Sequence, residues 1–153
     1  MFSVKFIFIF LFTLVSQNIF SNTIYKITIM GKINSETLYL PNEGKFNSFK
    51  VDAAFSDSDG NFGDAIGRGV IETNNNNKIT NLYAVLIFKT TDGSTMFTRP
   101  VRTESDIKAG TGSFDILYAT GAFKKYLNFN CKYAISRTSS NAFIQKNACK
   151  KSF

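Results

Sequence analysis

Apolar and polar residues alternate over much of this chain. Phe49, Val51, Ala53 and Phe55 alternate with Lys50, Asp52 and Ser56. A period of two marks a strand with one buried face. Thr23 to Ile33 repeats the pattern, with Tyr25, Ile27 and Ile29 on one side and Lys26 and Thr28 on the other. Leu127, Phe129, Cys131, Tyr133 and Ile135 share a face opposite Asn128, Asn130 and Lys132. Phe62 to Thr73 continues as a strand carrying Gly63, Gly67 and Gly69, a sign of bulges, bends or close backbone packing. Ile79 to Lys89 is apolar on both faces and predicts a strand covered on both sides. Thr95 to Arg102, Ser113 to Ala119 and Ala142 to Cys149 complete the set, and Pro100 places its strand near an edge or bulge.

Turn residues separate these runs. Asp57-Ser-Asp-Gly60-Asn61 and Thr91-Asp92-Gly93-Ser94 carry turn and hairpin chemistry. The run Asn74 to Asn77 reads as a low-complexity loop insert. No segment has sustained helical periodicity with caps. Many short strands at regular spacing predict an all-β fold, a small antiparallel β-barrel of about eight strands, with a β-sandwich as the alternative. With Ser139-Ser140-Asn141 as the last turn, Cys131 falls directly opposite Cys149. Opposed Cα atoms in a non-hydrogen-bonded pair are about 4.5 Å apart, near the lower end of disulfide geometry.

The N-terminus changes the picture of where the chain works. Met1 to Lys5 carries one positive charge, Phe6 to Val15 is an apolar region with no charge, and Ser16 to Ser21 is more polar. This layout predicts a signal peptide over residues 1–21, cut after Ser21, and a single barrel domain over 22–153. An uncleaved anchor is the other reading of the segment. A run of about 10 apolar residues falls short of the about 20 a spanning helix needs. The mature chain is thus expected to be secreted (periplasmic in a bacterium), without stable membrane insertion, and export favours a Cys131–Cys149 disulfide over two buried thiols. Removing Lys5 lowers the formal charge from +7 to +6. The lysines are scattered apart from Lys124-Lys125 and Lys150-Lys151, so no nucleic-acid partner is expected.

There is no histidine. That excludes a Ser-His-Asp or Cys-His site within this chain, and with it His-ligated zinc. Acid–base chemistry would fall to Asp, Glu, Tyr or Lys. Asp57, Asp59, Asn61 and Asp64 offer oxygen ligands, but Gly60 comes too early for an EF-hand loop and a turn is the better reading. No metal or cofactor is expected. Arg68, between Ile66 and Val70, and Arg99, between Phe97 and Val101, are the candidates for an inward fork that binds a carboxylate or phenolate. Simple alternation puts both outside instead. Tyr83, Glu72 and Glu104 are weaker candidates for the same role.

The stretch Gly110-Thr111-Gly112-Ser113-Phe114, followed by Ala119-Thr120-Gly121, resembles the allene oxide cyclase and dirigent barrel superfamily. Phe55 to Gly63 and Ile66-Gly67-Arg68-Gly69 resemble that family's strand, Asp-Gly turn and glycine-bearing next strand. The similarity covers roughly residues 49–136. This chain has two extra residues between the Phe-type position and the final glycine. The resemblance implies an eight-stranded antiparallel barrel with an apolar cavity, acting by holding a hydrophobic molecule in one shape. It transfers no active-site residue.

Three functions follow. The first is a secreted barrel binding a small hydrophobic or aromatic molecule. The second is a cofactor-free cyclase, isomerase or dirigent-like coupling guide. The third is an extracellular recognition or structural protein that uses the outside of the barrel.

Overall fold

In the computed structural model, residues 24–41, 44–103, 105–138 and 141–152 are described. The expected leader, Glu104 and the Ser139-Ser140 pair lie outside them. Eight antiparallel strands run in chain order: β1 (Tyr25–Leu40), β2 (Gly44–Asp57), β3 (Phe62–Thr73), β4 (Ile79–Thr90), β5 (Thr95–Val101), β6 (Ala109–Ala119), β7 (Phe129–Arg137) and β8 (Ala142–Lys151). Each pairs with the next, and β8 pairs with β1, so the sheet closes into a barrel. A sandwich is ruled out. Closure follows from the pattern: every strand presents one apolar face, and joining the ends turns all these faces inward and removes the free edges.

The turns form as their residues dictate. Asp57 Oδ1 accepts from the Asp59 and Asn61 amides at 2.9 and 2.8 Å. Gly60 and Gly93 take the positive φ that these turns require. The Asp57–Asn61 carboxylates are thereby committed to turn and surface bonds. The β7–β8 register pairs Cys131 with Cys149, and the two sulfurs are bonded across a Cα separation of 4.0 Å.

Three expectations need correcting. The outer residues of β4 are not covered, since Tyr83 is 64% and Val85 40% exposed. Apolar content on both faces of a strand says nothing about whether a second layer exists. Strand β1 runs on past Ile33 to Leu40 as an exposed arm paired with the start of β2. Thirdly, after Thr120 the chain forms a short 3-10 helix (Gly121–Tyr126).

That helix closes one end of the barrel. Phe123 and Tyr126 are buried there, with Phe123 against Phe55 and Tyr126 stacked on Tyr25 at 3.6 Å. Tyr25 donates to Asp57 Oδ2 at 2.8 Å, and Tyr126 donates to Asp59, which also pairs with Lys125. Ile27, Ile29, Ala65, Phe88, Met96 and Ala119 fill the space beneath. The opposite end, framed by residues 34–41, 44–45, 74–78, 102–103, 105–108, 138 and 141, has no such plug among the described residues.

Candidate functional site

Towards the unplugged end the inward side chains leave a cavity of about 70 Å³. One water needs roughly 10–15 Å³ on this measure, so several waters or part of a small molecule would fit. The walls are largely apolar: Phe49, Val51, Ile71, Leu86, Phe114 and Ile135 line the space. The room arises from residue size. On the inner face of β3, Gly67 stands between Ala65 and Gly69, and on β4 Ala84 stands between Leu82 and Leu86.

A window in the wall adjoins this cavity. The β4–β5 ladder stops at Leu86–Thr98, and the chains meet again only at a Lys78–Asp106 bridge. Between these points, residues 80–85 and 99–103 form no described ladder pair with each other, although each strand stays paired to its other neighbour, β3 or β6. Leu82, Ala84, Val85 and Pro100 of this region all border the cavity. Pro100, with no N–H to satisfy, suits such a gap. The sequence reading placed Pro100 at an edge or bulge. In the closed sheet it borders this interrupted seam.

Two arginines and a tyrosine stand in the cavity wall. Arg102 is 5% exposed; its Nε donates to Ser105 Oγ at 2.5 Å, and Nη2 donates to the Asp106 carbonyl. Arg137 has a buried Nε with no hydrogen-bond partner. Burial pushes both guanidinium groups below their ordinary value, and Arg102 repels the charge on Arg137. Tyr133 is pushed up to about 12 by burial, against the pull of both arginines. These three groups share one electrostatic neighbourhood.

The Gly110-Thr111-Gly112 stretch makes this cluster possible. A Cβ on Gly110 would lie 2.6 Å from Arg102 Nη2, and one on Gly112 would lie 2.6 Å from the Tyr133 ring. Bare backbone at these positions lets the guanidinium and the phenol lie against the inner face of β6.

The residues first singled out lie elsewhere. Arg68 is exposed on the outer face of β3. Arg99 is exposed and paired with Asp115 at 3.1 Å. Tyr83 is on the outer face of β4, and Glu72, half-buried, accepts from Asn81 at 2.6 Å. The structure places Arg68, Glu72 and Tyr83 near one another on the outer face of β3 and β4, with Tyr83 opposite Val70, and brings none of these candidates into the cavity. The inner face of β5 is Met96, Thr98, Pro100 and then Arg102, so an arginine does enter, three residues after the candidate. Arg137 continues the face already read as Cys131, Tyr133 and Ile135. Extending each parity by one step finds both.

No protein-family model and no curated protein matches the sequence. Among solved structures, the chain is similar to a protein of unknown function from Clostridium acetobutylicum ATCC 824. The TM-score is 0.67 at 13% identity, over 84% of this chain and 99% of that one. The likeness is one of fold.

Chemically, the cavity offers apolar contact, planar hydrogen-bond donors and a neutral phenol. No group of three or more His, Cys, Asp or Glu side chains placed to hold a metal occurs among the described residues.

Proposed function

We propose that this chain is an exported binding protein that holds a small apolar or aromatic molecule inside its barrel. The observation that carries the reading is the apolar cavity beside an interrupted seam. A filled barrel would bury Phe and Leu side chains there, yet the chain places Gly67 and Ala84 in the cavity wall, on the neighbouring strands β3 and β4. A cavity of about 150 Å³ holds benzene. Rotamer shifts of half-buried Phe49, Leu82 and Leu86 would enlarge this one towards that size. Export is supported by the leader-like first 21 residues and by the disulfide, which suits an oxidising compartment. Among the described residues no helix is long and apolar enough to cross a membrane.

The resemblance to the allene oxide cyclase and dirigent barrels fits a role in which shape does most of the work. A cofactor-free isomerase or coupling guide is the second reading, and Tyr133 with the two arginines is what favours it. Such a site could hold a phenol or an oxyanion in place while the apolar walls fix the rest.

Native mass spectrometry of the mature chain with toluene and indole tests the first reading. Both are expected to form one-to-one complexes. Ala84→Met, which fills the cavity, is expected to weaken them about tenfold without lowering the melting temperature. Equal binding by the filled variant would remove the interior from the proposal.

A further inference from the structure

We infer that the cavity selects a ligand carrying an acid group, with its anion held by the guanidinium forks of Arg102 and Arg137. The inference rests on the reading of the interior as a binding site and specifies what enters it.

A buried guanidinium cannot escape its cost by losing its proton, because its ordinary pKa is above 12. Buried cations are therefore normally met by carboxylates. The ion pairs among the described residues are Lys50–Asp52, Arg99–Asp115 and Lys125–Asp59, all with partly exposed side chains. None involves the two inner arginines. Arg102 has only a hydroxyl and a carbonyl as described partners, and Arg137 Nε has none. Asp106, the acidic group attracting Arg102, also accepts from the Lys108 amide through its Oδ1 at 2.8 Å. Two cations that repel each other thus border an apolar space without a described carboxylate between them.

An anion brought by the ligand would supply the missing charge. The planar fork of arginine matches the two oxygens of a carboxylate better than a single oxygen, which gives selectivity for acids over alcohols. Tyr133, neutral at physiological pH, adds a hydroxyl beside both arginines. Access also fits. Arg137 and Ile33 border a second, outer pocket of about 510 Å³ that Lys108, Thr138 and Asn141 complete. An anion entering from that end meets the charge of Lys108 as well as that of Arg137. The small inner volume favours an aromatic or short branched acid over a long chain.

The test compares two probes of nearly equal shape, phenylacetate and phenylacetamide, by calorimetry on the mature chain at pH 7.4. Phenylacetate is expected to bind at least tenfold more tightly. Arg137→Gln is expected to erase that difference while leaving phenylacetamide affinity within about twofold. Arg137→Lys should restore only part of it, since the charge returns without the fork. Equal affinity of the wild-type chain for the two probes would overturn the acid preference while the interior-binding reading stood. Failure of both, and of toluene and indole, would bring down both readings. Should Arg137→Gln fail to fold, the wild-type comparison alone still decides, and raising salt from 50 mM to 500 mM should weaken the acid but not the amide.

Discussion

Tyr133 is the side chain on which the electrostatics of the cavity converge. Burial raises its pKa to about 12, while Arg102 and Arg137 pull the other way. Tyr126, at the plugged end, is also pushed up to about 12, mainly by burial and its bond to Asp59. A phenol whose folded pKa is raised favours the folded state below its unfolded value of about 10. That contribution is lost as pH rises from about 10 to about 12. The barrel should therefore lose stability through this window. Tyr133→Phe should move the alkaline midpoint, followed by circular dichroism, to higher pH. An unchanged midpoint would mean that Tyr133 is not buried as described. At this scale the sequence showed the type of group but not its position. An arginine fork was anticipated, on Arg68 and Arg99, because apolar neighbours flank both. The neighbours mislead because the outer face of this barrel also carries Ile66, Ile87, Phe97 and Tyr118. Glycines 110 and 112 were noticed as a motif, but their reason, room for Arg102 and Tyr133, needed the neighbouring strands.

Among the elements, the β7–β8 hairpin was the most legible, because one turn fixes every pair. Placing Ser139-Ser140-Asn141 at the tip puts Cys131 opposite Cys149, as observed. Both cysteines are fully buried. In a chain-entropy view, a bridge closing a loop of this length contributes about 3 kcal/mol. The Cys131→Ser, Cys149→Ser double variant should lose about that much stability in urea titrations while keeping its strand spectrum. A loss under about 1 kcal/mol would show that the bridge adds little to the closure. The 3-10 helix was not legible. Six residues are too few for a helical period, and Ala119-Thr120-Gly121 reads as an ordinary turn. The bulge in β6 was not legible either. Tyr118 pairs with Phe97 and Ile116 with Thr98, so Leu117 is left unpaired and both Leu117 and Tyr118 face outward.

For the whole molecule, the alternating strands fitted a barrel or a sandwich, and the pairing of β8 with β1 closes the sheet around an interior. What strand patterns cannot give is how full that interior is. One half holds Phe55, Phe88, Met96 and Phe123. The other half faces Gly67 and Ala84 and is left partly empty beside the seam between β4 and β5. The proposed function depends on that asymmetry, with the plugged half holding the barrel's shape and the hollow half receiving a guest. Methyl-resolved NMR of the mature chain titrated with phenylacetate tests this most directly. Shifts confined to the methyl groups of Ile33, Ile71, Ile79, Leu82, Leu86 and Ile135 are the predicted result. Shifts centred on the outer methyls of Ile66, Ile87 and Leu117, or none at saturating ligand, would contradict it.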